Sequence, residues 1–153
     1  MLRIERLDRV PLVRISADAS SAFSDAELER VLTRLQEEME ADHKLQRRLV
    51  SIIDLRGSFP LTAKQRSKLA AWLKQKEQLS HEVSLGMAFV ITSAVIRGVL
   101  TAVFWVQNPP VPCTVEGDLD AAVRWAIDRF DVEHVDVPAS LRTDLGKVFE
   151  GSA

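Results

Sequence analysis

The residues best suited to chemistry gather in one stretch, Leu49-Val-Ser-Ile-Ile-Asp-Leu-Arg-Gly-Ser-Phe-Pro-Leu-Thr62. An apolar run ends at Leu55, Arg56-Gly57 make a tight polar turn, Pro60 interrupts the chain, and Thr62 opens a helix. In open α/β sheets the edge beyond the C-terminal ends of the strands is where ligands and partners bind. A helix N-terminus at that edge attracts anions. Asp54, Arg56, Gly57, Ser58 and Thr62, with Arg97 in the first turn of a later helix, therefore compose one strand-end constellation. A plainer account stands beside it, with Thr62 and Ser93 as ordinary caps and Arg97 as a solvated head on an apolar helix. For any small ligand at this edge the plainer account is preferred.

Other chemistry is missing from the sequence. His43, His81 and His134 are far apart, and none has metal-ligand spacing to a cysteine or carboxylate. Gly57, Gly86 and Gly98 stand alone, so there is no phosphate-cradling loop, and no Gly-x-Ser-x-Gly elbow is present. Cys113, the only cysteine, follows a proline-rich loop with no nearby histidine and reads as structural. With no tyrosine and scattered phenylalanines, a base-stacking platform has little to build on. These observations predict a protein that is not an enzyme, holds no cofactor or metal, and binds no nucleic acid.

A length of 153 residues suits one domain with one core. The mix of 46% hydrophobic and 27% charged residues is that of an ordinary folded globule. A single cysteine forbids an internal disulfide, and the N-terminus is charged throughout, with no apolar signal core. Both observations predict a cytoplasmic protein. The net charge of −2 hides a contrast: residues 25–42 carry seven acids and two bases, whereas residues 44–76 carry nine bases and one acid. Two oppositely charged, solvated helix surfaces are the preferred explanation, ahead of an anionic partner.

The elements that must position these residues follow from periodicity and caps. Residues 2–7 and 10–16 read as an edge hairpin. Ser24-Asp-Ala-Glu27 is a capping box, with Phe23 and Leu28 at the staple positions. Leu28, Val31, Leu32, Leu35 and Met39 then make one apolar stripe, ending near residues 41–43. Residues 49–55 read as a central parallel strand covered on both faces. Thr62-Ala-Lys-Gln65 caps a basic helix expected to run to about Leu79.

The apolar segment 85–106 has the length of a membrane span, but Arg97 near its middle and the cap at Ser93 argue against one. It reads as a strand over 85–92 and a buried helix over 94–106, with Gly98 passing close to the sheet. A short strand over 113–115 and a helix from Asp118 to about Arg129 complete the domain, with Trp125 at the border of that helix. Residues 131–153 form a tail in which Leu141, Leu145, Val148 and Phe149 make one stripe, to dock back on the domain or to meet a partner.

This order of strands and helices resembles the STAS domain, the fold of bacterial anti-sigma factor antagonists, and in particular its divergent bacterial members. Three pieces carry the resemblance over roughly residues 2–130: Val50-Ser-Ile-Ile-Asp-Leu-Arg-Gly-Ser58, Gly86-Met-Ala-Phe-Val-Ile-Thr-Ser-Ala-Val-Ile-Arg-Gly-Val-Leu-Thr-Ala102, and Asp118-Leu-Asp-Ala-Ala-Val-Arg-Trp-Ala126. It implies an α/β fold, a single STAS-like domain over residues 1–130 with a mixed, mostly parallel sheet of about five strands and about four helices. A tail with a short helix follows over 131–153.

In that family an Asp-Ser pair opens the helix after the central strand, and the serine takes phosphate from a partner kinase. Matched on Asp54-Leu-Arg-Gly57, this chain has Thr62 where the aspartate is expected and Ala63 where the serine is expected. The phospho-switch is missing from its usual place. The resemblance then implies a non-catalytic regulatory or scaffolding domain that binds a protein partner through this edge. Arg56, Ser58, Phe59, Thr62, Lys64, Arg66, Lys68 and Arg97 are the expected contact residues, and copies are expected to associate through the apolar 94–106 helix. STAS-like folds also resemble lipid-transfer CRAL-TRIO domains, so the alternative is a carrier of a small apolar ligand with helix 95–106 lining its pocket. A deep apolar cavity with a few polar groups would separate that class from a packed core.

Overall fold

The computed structural model describes residues 2–7, 9–17, 24–57, 60–143 and Phe149. In chain order the described elements are β1 (Leu2–Arg6), β2 (Leu12–Ala17), α1 (Asp25–Lys44), β3 (Leu49–Asp54), α2 (Ala63–Gln75), α3 (Glu77–Val83), β4 (Ser84–Val90), α4 (Ala94–Val106), β5 (Cys113–Glu116), α5 (Leu119–Val132) and α6 (Ala139–Thr143). The fold is α/β, with one sheet in the order β1-β2-β3-β4-β5. β1 and β2 form an antiparallel hairpin at one edge, and the other pairings are parallel.

Local chemistry sets most boundaries. Ser24 accepts from the Glu27 backbone N–H, and Glu27 accepts from that of Ser24, closing the expected capping box on α1. Thr62 and Gln65 do the same for α2. Asp118 accepts from the Ala121 N–H and starts α5. Phe23, the expected staple residue, lies outside the described residues.

Connectivity then decides which helix covers which face. Crossovers between parallel strands are almost always right-handed. β2, β3, β4 and β5 are neighbours in both sequence and space, so one handedness sends α1, the α2–α3 pair and α4 to the same face. α5, which follows the last strand, covers the other. On the α5 face Val50, Ile52, Ala88 and Val90 meet Ala122, Val123, Ala126 and Phe130, all fully buried. Leu141 and Phe149 join the same cluster, so the tail docks back on the domain; Leu145 and Val148 lie outside the described residues.

Three expectations change. The helix over 62–79 breaks after Gln75: Lys76 leaves helical geometry and α3 starts at Glu77. No glycine or proline forces this; the turn brings Val83 into the core ahead of β4, a tertiary demand that local propensity does not record. α4 has the expected bounds but is not a buried helix. Ile96 and Val103 face inward, whereas Val95, Val106 and Trp105, the last 85% exposed, face outward. Gly98 does not pass close to the sheet, since a Cβ there would meet nothing within 4 Å. The close approach is at Gly86, where a Cβ would stand 2.7 Å from the Trp125 ring and 3.2 Å from the Pro112 carbonyl oxygen. Trp125 therefore packs close against β4 because residue 86 has no side chain.

Candidate functional site

The two faces of the sheet are filled very differently. Side chains alternate along a strand, so the register defines rows across the face turned toward α1, α2 and α4. One row is Ile4, Ile15, Ile53 and Phe89; the next is Arg6, Val13, Ser51 and Met87. Ile4, Ile15, Ser51, Ile53 and Met87 are only half-buried, whereas Val50, Ile52 and Ala88, on the opposite face of the central strands, are sealed. The reason is a cavity of about 300 Å³ between this floor and the helices.

Its roof is built from three amphipathic helices. The α1 stripe from Leu28 to Met39 supplies one side. Leu69, Trp72 and Leu73 come from α2, and Ile96, Leu100, Val103 and Phe104 from α4. The Phe89 and Phe104 rings close the α4 end edge to face, with centroids 5.7 Å apart. Emptied of any occupant, a void costs about 24 cal/mol per Å³. For this volume that is at most roughly 7 kcal/mol, an upper figure because the cavity is partly open. A whole domain is stable by only about 5–15 kcal/mol. The volume lies at the lower end of the range of ligand pockets.

The charges that border the cavity are neutralised. Arg6 donates to both Asp42 oxygens at 3.1 Å and to Glu38 at 2.6 Å. Asp42 also meets Arg47 at 3.0 Å. Burial opposes the charge of Arg6, but these carboxylates outweigh it and raise its pKa. Near the start of α1 and α2, a clasp ties the two roof helices together. Lys64 and Gln65 donate to Asp25 at 3.1 Å, and Lys68 donates to Glu29. Asp25 is held below the usual carboxylate range, first by the Lys64 and Gln65 hydrogen bonds. The acidic and basic helix surfaces seen in the sequence thus face one another at these positions instead of being separately solvated.

The strand-end constellation is partly assembled. Asp54 is 4% exposed and accepts from Arg56 Nε at 2.9 Å, Arg56 Nη2 at 2.7 Å and the Arg56 backbone N–H at 3.2 Å. Arg14 Nη2 joins it at 2.8 Å, and Arg14 also approaches Glu5 at 3.3 Å. Burial by itself pushes the Asp54 carboxyl up; the hydrogen bonds from Arg56 and Arg14 outweigh that and hold it below its ordinary value. Gly57 takes φ +75, the left-handed turn that glycine permits.

Thr62 Oγ1 is occupied by the Gln65 N–H at 3.2 Å, and Arg66 donates to the Leu61 carbonyl at 2.9 Å. Lys64 and Lys68 are in the clasp, and Arg97 is exposed at the start of α4. Ser58 and Phe59 lie outside the described residues. The strand order never reverses, so the crevice that a reversal opens at this edge is not formed. Arg14, Arg56, Arg124 and the start of α5 with Asp118 and Asp120 border only a second, polar depression on the opposite face.

Cys113 donates to the Val111 carbonyl, and burial pushes its thiol up to about 11, far from a reactive thiolate. Among the described residues no helix is long and apolar enough to cross a membrane. Sequence reasoning placed α4 at a pocket wall but missed the floor. Ser51, which interrupts an apolar run on the cavity face, and Arg6, a charge inside a hairpin strand, were the signals. The chain matches no protein-family model and no curated protein.

Proposed function

We propose that the chain is a binding protein for a small apolar ligand held between the sheet and helices α1, α2 and α4. The observation that carries this reading is the partly open cavity of about 300 Å³ under an apolar roof of three helices. Ligand pockets begin at about this size and are lined in this way. On the α5 face of the same strands Val50, Ile52, Ala88 and Val90 are fully buried, so the chain can seal the centre of a sheet face.

Ser51→Leu tests the reading directly. In a filled core an added side chain costs about 1–3 kcal/mol. In an empty pocket the larger side chain occupies open space, so the variant should melt higher than the stripped wild type and lose ligand uptake. Native mass spectrometry of gently purified wild type should show a retained small molecule that organic extraction removes. Adding an apolar ligand back at ~100 times its Kd should raise Tm by about 5–10 °C. A destabilised Ser51→Leu variant, together with wild type that carries only its bare mass and shows no Tm response, ends this reading.

A second reading has its own observation. α4 turns Val95, Val106 and the exposed Trp105 outward beside β5, an edge strand whose Val115 is also exposed. Contact with a second copy through this rim is the form of protein interaction best supported, because an unpaired strand edge and an apolar helix face complement a copy of themselves. A regulatory or scaffolding role of the kind seen in STAS domains would use this rim. The basic face of α2 is less suited, since Lys64 and Lys68 already pair with α1.

A further inference from the structure

We infer that the cavity selects a neutral ligand and discriminates against fatty carboxylates and amines of the same shape. This inference rests on the cavity being a ligand site. It comes from the four charged residues in the lining, Arg6, Glu38, Asp42 and Asp54. Arg6, the one cation among the described lining residues, bonds through both terminal nitrogens: Nη1 to Asp42, and Nη2 to Asp42 and Glu38. Asp42, buried, is shared with Arg47. The group of Arg6, Arg47, Glu38 and Asp42 has no net charge, and its two carboxylates hold the Arg6 guanidinium. Asp54 is spoken for on the other side of the sheet by Arg14 and Arg56.

A buried ion needs a partner of opposite charge and filled hydrogen bonds, and it is expelled without them. Among the described residues, every charge in this lining already has a partner of opposite sign. For a polar atom it offers serine hydroxyls, among them Ser51 in the middle of the floor and Ser80 on α3, which can both donate and accept. The matching ligand is a hydrocarbon body with at most a hydroxyl, carbonyl or ester group.

The test uses a set of compounds sharing one saturated medium-length chain and ending in a hydroxyl, a methyl ester, a carboxylate or an amine. Affinities are measured on the extracted, full-length protein at neutral pH. The alcohol and ester should bind, and the carboxylate and amine should bind at least ~100-fold more weakly. Glu38→Gln is the companion variant. It removes one negative charge and leaves the Arg6 cluster with a net positive charge while Asp42 and its pairing remain, so it should raise carboxylate affinity about tenfold and leave the alcohol unchanged. A carboxylate that binds the wild type as well as the alcohol overturns the inference and leaves the site standing. Carboxylate affinity that ignores Glu38→Gln also overturns it. If no member of the set binds, both the inference and the site reading fall.

Discussion

At the end of β3 the Asp54 carboxylate is buried, yet two guanidinium groups keep it ionised. Removing that charge leaves Arg56 without its carboxylate and Arg14 with Glu5 alone. Breaking a buried pair in this way costs about 3–5 kcal/mol. Arg56 reaches solvent, so Asp54→Asn should fall near the low end, at about 3 kcal/mol. The sign of the pH dependence follows from the depressed pKa. The stabilisation is fully present above the unfolded aspartate value of ~3.9 and is lost as the pH falls through the lower, folded value. Urea unfolding at neutral pH and at about pH 3 should show the wild type losing this contribution in acid while Asp54→Asn has none left to lose. Equal stability of the two proteins at neutral pH would show that the Arg14–Asp54–Arg56 cluster does not hold the strand end.

Between helices, the clasp of Asp25, Gln65, Lys64, Glu29 and Lys68 joins α1 to α2 where both roof the cavity. Exposed ion pairs contribute only about 0–1 kcal/mol each. Reversing both lysines, Lys64→Glu with Lys68→Glu, should therefore leave Tm close to that of the wild type. The helices, however, would then meet as four like charges across the roof. Ligand release, followed by displacement in a stopped-flow instrument, should become faster, and high salt should bring it back toward the wild-type rate. An unchanged release rate would mean that the ligand enters and leaves elsewhere, past α4 or the hairpin. The split between α2 and α3 belongs to the same picture: α2 lies over the cavity, and α3 brings Ser80 and the buried Val83 to its lining.

For the molecule as a unit, the strand order is the governing fact. Sequential parallel strands place three crossovers on one face and leave one helix and the docked tail for the other. The three-helix layer spans the sheet without filling it, and the single-helix layer packs tightly. The same layout leaves α4 beside the β5 edge, with Trp105 outward. Trp105→Glu should keep the monomer's Tm, because the side chain buries little, and should convert an associated wild type to monomer in sedimentation at matched concentrations. A wild type that sediments as a monomer at high concentration would remove the second reading and leave the cavity untouched.

The capping boxes at Ser24 and Thr62, the α1 stripe, the central strand and the Gly57 turn were readable from the chain alone. Each depends on residues a few positions apart, and short-range sterics and hydrogen bonds act the same way in any surroundings. The mixed sheet was legible from the order of the elements, an edge hairpin and then strands separated by helices. The pairing of Lys64 with Asp25 was not, since the two are 39 positions apart and only the packing of α1 on α2 joins them. Nor was the outward face of α4. An apolar helix reads alike whether its second side meets a core, a ligand or open water, because hydrophobicity is non-directional. The cavity is the clearest case. Leu28, Ile53, Trp72 and Leu100 carry the same pattern as a filled core, and whether their side chains touch or stand apart is set by the distance at which three helices come to rest above one sheet face.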